Sequence, residues 1–166
     1  YKAADFINFC DAYDIPVLSL TNVKGYAADV RSEKSIAKAV AKLTYAFANA
    51  NVPKVNVITG EAYGSAYVTM NSKALGADVT YAWPDASIGM MDANEAAKIM
   101  YADKPELLAE KAAEYAALQN NVVSAAQRGY VDSIIDPEQT RKYVVAAFEM
   151  LYSKKAGIID KKHGTV

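Results

Sequence analysis

The chain has 166 residues, of which 52% are hydrophobic and 22% charged, and its formal net charge is −1. A chain of this length forms about one domain and buries roughly 70% of the surface that its unfolded form exposes, so it folds without a disulfide or a metal. This composition excludes a disordered chain, and the scattered lysines and arginines argue against nucleic-acid binding.

Cysteine usage and hydropathy predict a cytoplasmic protein. Cys10 is the single cysteine and cannot form an internal disulfide, which suits a reducing compartment. No apolar run reaches the ~18 residues of a membrane span, and the start has no signal-peptide layout. The chain begins at Tyr1, inside a segment with helical spacing. We therefore expect residues 1–166 to be one domain of a longer polypeptide.

The first predicted element is a helix over residues 2–13, which Asp14-Ile15-Pro16 ends. Its apolar residues recur at spacings of three and four, which predicts one buried face. That face comprises Ala3, Phe6, Ile7, Cys10 and Tyr13.

Strands and helices then alternate up to Ala82. The predicted strands are 17–20, 55–58 and 78–82, a loop at 22–26 follows the first strand, and the predicted helices are 32–49 and 64–75. Gly76 is the expected stop of the second helix. The expected buried stripe of the first helix is Ile36, Val40, Leu43 and Phe47. Parallel strands need helical crossovers of this kind, so the pattern predicts an α/β fold.

Helices dominate after Pro84. Three segments carry helix-start signals: Asp92-Ala93-Asn94-Glu95, Asp103-Lys104-Pro105-Glu106 and Asp136-Pro137-Glu138-Gln139. Residues 129–135 are expected to form a short connector. The sequence therefore predicts a helix-rich C-terminal part.

Residues 59–70, TGEAYGSAYVTM, follow the strand 55–58 with almost no spacer. Small residues at this place allow a tight crossover, expose Ser65 as a nucleophile, or leave backbone N–H groups open. A serine nucleophile needs a base, and the only histidine, His163, lies three residues from the C-terminus, where a preorganised triad is not expected. A Ser-Lys pair with Lys73 stays open.

Metal and dinucleotide binding have little support. The chain has one histidine and one cysteine, and its acidic residues mostly stand at helix starts, where capping explains them. Gly60 and Gly64 do not have the spacing of the G-x-G-x-x-G motif. We predict no metal site.

The remaining chemistry belongs to the backbone of Gly64-Ser65-Ala66. The first N–H groups of a helix have no intrahelical partners, and the helix dipole adds partial positive charge there. Such a turn acts as an oxyanion hole when a substrate oxygen reaches it, and one donor is then typically worth about 3 kcal/mol. Close packing of the helix on the strand explains the same small residues, so spacing alone leaves both interpretations open.

Four blocks resemble a known family. They occur in order between residues 5 and 164 and read FCDAYDIPVLSLTNVKGY, YAFANANVPKVNVITGEAYGSAYVTMNSKALGADVTYAWPDASIGMM, AAQRGYVDSIIDPEQTRKYVVAAFEML and KKHG. They are similar to the C-terminal half of the carboxyltransferase subunit of biotin-dependent acyl-CoA carboxylases and decarboxylases. The similarity is to the propionyl-CoA carboxylase β type and to the α subunit of sodium-pumping methylmalonyl-CoA and glutaconyl-CoA decarboxylases.

This resemblance implies a crotonase/Clp-like spiral of β-β-α units. It also implies a subunit of two such halves, in which a missing N-terminal half holds the acyl-CoA and this half faces biotin on a separate carrier protein or domain. The pocket would form between halves of different subunits, so we expect a homo-oligomer, a dimer or a trimer of dimers, and no activity from this chain alone. A membrane decarboxylase partner is compatible with the resemblance, and the reaction direction and the acyl-CoA stay open.

The resemblance also implies site residues. The backbone N–H groups of Ser65 and Ala66 match the pair that holds the ureido oxygen of biotin, where Ser65 replaces a glycine of the family's AYGGAY motif. Tyr63 and Gly64 belong to the same motif, and Gly25 matches the glycine of the family's DVPGF loop beside biotin. In this loop Lys24 replaces the proline and Asn22 the aspartate, and residues 34–42, KSIAKAVAK, replace the family's GGIIRHGAK. Two alternatives stay open: a serine hydrolase on the same fold and a non-catalytic assembly module.

Overall fold

The computed structural model of the protein describes residues 1–27 and 29–154. Its strands are β1 (Val17–Val23), β2 (Lys54–Tyr63), β3 (Val79–Ala82), β4 (Ser87–Gly89) and β5 (Ser133–Ile134). Its α-helices are α1 (Lys2–Ala12), α2 (Val30–Glu33), α3 (Ile36–Asn49), α4 (Gly64–Thr69), α5 (Ala93–Met100), α6 (Leu108–Tyr115), α7 (Val122–Gln127) and α8 (Thr140–Met150). Short 3-10 turns at Lys73–Leu75, Pro105–Leu107 and Pro137–Gln139 and a π-turn at Ala116–Asn120 complete them.

The strands form one parallel sheet in the order β1-β2-β3-β5. The first half of β2 pairs with β3, from Val55 opposite Val79 to Ile58 opposite Ala82. Its second half pairs instead with β4, from Glu61 opposite Ser87 to Tyr63 opposite Gly89. One long strand therefore changes its neighbour halfway, and its far end projects beyond β3.

The core covers both faces of β2. Val55 and Val57 are fully buried and pack in a cluster with residues of β3 and α8. Ile58 and Ala62 are equally buried and pack with residues of α4, β4 and α7. Helices on both faces explain why this strand is apolar without strict alternation.

The α/β alternation and the helix-rich C-terminal part are confirmed, but the predicted buried face of α1 is partly wrong. Ile7 and Cys10 are buried as expected, and Ala4 completes the face. Ala3 is exposed, and Phe6 and Tyr13 are 61% and 67% exposed. The cluster that α1 forms with Ala46 and Phe47 of α3 includes Ala4, Ile7 and Cys10, and Phe6 and Tyr13 lie outside it.

Several predicted boundaries also differ. The helix expected at 32–49 is two helices, because Ser35 leaves helical geometry at φ −129°. Of its expected stripe only Phe47 is fully buried, while Ile36, Val40 and Leu43 are half-buried. β1 ends at Val23, three residues beyond the prediction, and β2 continues through residues 59–63, which we expected to be a turn.

The helix expected at 64–75 ends at Thr69. Asn71 interrupts it with φ +55°, and Gly76, at φ +103°, ends the following 3-10 turn. β4 and the pair Ser133–Ile134 inside the expected connector were missed, since two or three residues carry no periodic signal.

The three helix-start signals fare differently. Asp92 caps α5 by accepting a hydrogen bond from the N–H of Asn94, but the Glu95 side chain pairs with Lys98 at 2.8 Å and does not complete a capping box. Lys104, not Asp103, precedes the 3-10 turn at Pro105. Asp136 precedes the turn at Pro137 without a side-chain cap. Within the described part of the chain, no helix has the length and apolarity that a membrane crossing needs.

Candidate active site

The turn from β2 to α4 is built around Gly64. Tyr63 is still extended, at φ −118° and ψ 138°, and Gly64 has φ +58°. This left-handed conformation is costly for a residue with a Cβ atom. A Cβ atom on Gly64 would also lie 2.9 Å from the carbonyl oxygen of Met90. Glycine is therefore required both by the backbone angle and by the close approach of Met90.

The start of α4 carries no side-chain cap from the described residues. Ser65 and Ala66 occupy its first turn, where backbone N–H groups have no intrahelical acceptor. The Ser65 side chain is exposed, whereas Ala66 is only 4% exposed. The turn thus offers two neighbouring amide donors with little side-chain bulk around them.

A cavity of about 620 Å³ opens at this turn. It is lined by Lys24–Tyr26 after β1, by Tyr63–Ala66 at the turn, and by Met90, Met91, Asp92, Asn94 and Glu95 around the start of α5. The fold therefore brings together all five positions expected at the site, Gly25, Tyr63, Gly64, Ser65 and Ala66. The individual roles of these five residues stay predictions.

The loop that carries Gly25 is tied to β2 by an irregular register. Thr21 lies opposite Ile58 but Val23 lies opposite Ala62, so Asn22 alone faces residues 59–61. At this irregularity the Asn22 Oδ1 atom accepts a hydrogen bond from the Glu61 N–H at 3.0 Å, so the side chain of Asn22 holds the two strands together there.

Two further features support that loop. A Cβ atom on Gly60 would lie 2.8 Å from the Asn22 Oδ1 atom, so a larger residue there would push the Asn22 side chain out of its hydrogen bond with the Glu61 N–H. Lys24 Nζ lies 3.3 Å from a Glu61 carboxylate oxygen. The Asn22 and Lys24 substitutions relative to the family motif are therefore accommodated by partners on β2.

Tyr63 forms a fixed part of the cavity wall. The residue is 5% exposed, and its hydroxyl donates a hydrogen bond to Ser87 Oγ at 2.8 Å. Because Ser87 is on β4, this bond joins the far end of β2 to the strand it pairs with. The Tyr63 hydroxyl is therefore engaged within the protein.

The cavity contains residues that the sequence did not indicate. Tyr26 donates from its hydroxyl to the Ser65 carbonyl oxygen at 3.1 Å, although 39 residues separate the two. Met90 and Met91 add apolar surface. Only the position of Tyr26 beside Gly25 could have indicated the first of these, and no local pattern points to the methionines.

Two acidic side chains at the cavity, those of Glu95 and Asp92, are engaged by neighbouring groups. Glu95 holds Lys98, and this hydrogen bond raises the pKa of the Lys98 ammonium. Asp92 is engaged as the cap of α5. Burial raises the pKa of Tyr67, the next residue of α4 after Ala66, to about 12, so its hydroxyl stays protonated far above physiological pH. These arrangements leave backbone amides as the chief polar groups of the turn.

The Ser-Lys interpretation of Ser65 is not supported by the position of Lys73. Lys73 Nζ lies 2.8 and 2.7 Å from the two carboxylate oxygens of Asp132 and 3.1 Å from the carbonyl oxygen of Asp78. An ammonium group held by three acceptors is no base for a serine. His163 lies outside the described residues. Within residues 1–27 and 29–154, no group of three His, Cys, Asp or Glu side chains could hold a metal ion.

The fold is that of crotonase-like carboxyltransferases. The chain matches the crystal structure of transcarboxylase 12S, a hexamer assembly with methylmalonyl-coenzyme A and methylmalonic acid bound, with a TM-score of 0.94 and 42% identity. The match covers 98% of this chain and 32% of that chain. The predicted crotonase-like α/β fold is therefore confirmed.

Sequence comparison gives the family. The carboxyl transferase domain matches residues 1–166, and the chain belongs to this family. It is 45% identical to the putative propionyl-CoA carboxylase beta chain of Bacillus subtilis, over 99% of this chain and 34% of the relative. It is 42% identical to methylmalonyl-CoA decarboxylase subunit alpha of Veillonella parvula, over 99% and 32%. The chain thus spans about a third of the length of these curated relatives.

Proposed function

We propose that this chain is the biotin-facing domain of a carboxyltransferase that moves a carboxyl group between biotin and an acyl-CoA. The observation that carries this proposal is the uncapped start of α4, whose Ser65 and Ala66 amides lie at a cavity of about 620 Å³. Biotin, when bound, supplies the ureido ring that carries the carboxyl group. The lining suits such a ring, since amide donors match its oxygen and Met90 and Met91 match its apolar surface.

The chain's own contribution is electrostatic and positional. The Ser65 and Ala66 N–H groups would hold the ureido oxygen of bound biotin and would stabilise negative charge on it. Fixed donors of this kind need no reorganisation when the charge appears, and each is typically worth about 3 kcal/mol. Gly25 and Gly64 keep the two walls of the cavity free of side chains, and Tyr63 closes it behind the turn. In this mechanism the Ser65 hydroxyl has no part.

The rest of the active site lies on other parts of the enzyme. We propose that residues 1–166 form one domain of a two-domain subunit whose N-terminal half binds the acyl-CoA. Support comes from the relatives, which are about three times as long as this chain, and from transcarboxylase 12S, which assembles as a hexamer. We infer a cytoplasmic homo-oligomer, a dimer or a trimer of dimers, that receives biotin from a biotin carboxyl carrier protein.

The complete subunit that contains this chain provides the test. It is incubated with free biotin and a panel of malonyl-type CoA thioesters, and carboxyl transfer is followed by the conversion of each thioester. Turnover with at least one of them is expected, and residues 1–166 alone should give none. Absence of turnover with every thioester, in a subunit that is folded and oligomeric, would refute the proposed function.

A further inference from the structure

The Ser65 carbonyl oxygen is contacted by two hydroxyl groups. Thr69 Oγ1 donates to it from one turn further along α4, at 2.8 Å. The Tyr26 hydroxyl donates to it from the loop after β1, at 3.1 Å. The two hydroxyl oxygens lie 2.9 Å apart, and since each hydroxyl has a single hydrogen, the two bonds to the carbonyl oxygen use both of them. Two hydroxyl donors from different segments therefore converge on one carbonyl oxygen.

This carbonyl belongs to the same peptide group as the N–H of Ala66. A peptide group is planar, so hydroxyls that hold its oxygen also fix the direction of the N–H on its opposite edge. Donors to the oxygen additionally polarise the group and strengthen the hydrogen bond that its N–H can donate.

The start of α4 needs such support from outside the helix. α4 has six residues, and a helix this short has little stability of its own. The loop that carries Tyr26 is anchored independently, through Asn22 and Lys24 on Glu61 of β2. Tyr26 therefore connects the loop after β1 to α4 through the Ser65-Ala66 peptide group.

We propose that Tyr26 is a positioning residue, which acts with Thr69 to hold the Ser65-Ala66 peptide so that the Ala66 N–H points into the cavity. This inference rests on the proposed function, because it assigns a role within the same oxyanion hole. Tyr26 contacts the rear of the peptide group, so its hydroxyl influences transition-state stabilisation and leaves the binding of acyl-CoA unaffected.

The test uses Tyr26→Phe and Thr69→Val in the complete subunit. Each removes one hydroxyl and retains most of the side chain's volume. We expect kcat for carboxyl transfer to fall about three- to tenfold in each, as for the loss of one neutral hydrogen bond, with KM for the CoA thioester unchanged. The family's DVPGF motif has a phenylalanine, which lacks a hydroxyl, at the position of Tyr26. We therefore expect the loss of kcat in Tyr26→Phe to be severalfold and not complete.

Coupling between the hydroxyls distinguishes this role from a general effect on stability. If both act on one carbonyl, the double variant should lose less than the product of the two single losses. Tyr13→Phe, at the exposed residue that follows α1, is the matched control and should leave kcat unchanged. Unchanged kcat in Tyr26→Phe, a parallel rise in KM, or fully multiplicative losses would each overturn the proposal.

Ser65→Pro, measured in the same assay, separates this inference from the proposed function. A large loss in Ser65→Pro with full activity in Tyr26→Phe means that the hole operates and Tyr26 does not position it. Full activity in Ser65→Pro means that the hole itself has been wrongly assigned.

Discussion

Replacing Ser65 with proline removes one of the two proposed amide donors. Ser65 lies in the first turn of α4, where proline is tolerated because its missing N–H has no intrahelical acceptor. Loss of one donor to a developing oxyanion typically lowers kcat by about 10²–10³. We expect a loss of this size in carboxyl transfer by the complete subunit, with KM for the CoA thioester little changed.

The matched variant is Ser65→Ala, which keeps the amide and removes the hydroxyl. The Ser65 side chain is exposed, so the alanine leaves no cavity. We expect its kcat to lie within about twofold of the unmodified enzyme, because the amide donor is retained. Its free energy of unfolding should change by less than about 0.5 kcal/mol, as is usual for an exposed substitution. Thermal unfolding and oligomeric state should be compared for both variants, so that an effect of proline on folding is recognised.

Two results would contradict this reasoning. A large loss of activity in Ser65→Ala would show that the hydroxyl participates and that the site is that of a serine nucleophile. Full activity in a folded Ser65→Pro enzyme would favour the interpretation of this domain as a non-catalytic assembly module.

Three further outcomes are expected. Gly64→Ala should destabilise the domain by about 1–3 kcal/mol in denaturant unfolding, because an L-residue is strained at φ +58° and the methyl group meets Met90, and unchanged stability would contradict the backbone argument. A fluorophosphonate probe should not label Ser65 when labelling is followed by mass spectrometry. Burial lowers the pKa of the Lys54 ammonium, which donates to the Phe47 carbonyl oxygen at 2.6 Å. Below the ordinary lysine pKa of 10.5 the unfolded chain therefore binds more protons at Lys54 than the folded chain, so the free energy of unfolding should rise as the pH approaches that value. In Lys54→Met the rise of the free energy of unfolding with pH should be smaller.

Local patterns in the sequence determined much of this fold. The alternation of apolar runs and helical stripes up to Ala82 specified parallel strands with helical crossovers. The small residues at 64–66 marked the strand-to-helix turn, because a backbone at φ +58° needs a glycine and uncapped amides need small neighbours. These features depend on residues close together in the chain, and a sequence displays them directly.

Element boundaries depended on tertiary contacts. Residues 59–63 continue β2 because β4 lies beside them, and the pairing of Glu61–Tyr63 with Ser87–Gly89 provides the hydrogen bonds that a turn would have left open. α4 ends at Thr69 because Asn71 adopts φ +55° within the core, where it is 1% exposed. Neither interaction has a signature within either segment alone.

The surroundings of the site were likewise decided by the tertiary structure. The sequence placed Ser65 and Ala66 at a helix start, and the fold brought Tyr26, Met90 and the start of α5 against them. It also directed Lys73 to Asp132, 59 residues away, which removed the one base that the sequence had left open for Ser65. Backbone donors are positions along the chain and are visible in it, whereas their supporting partners come from distant segments that only packing brings together.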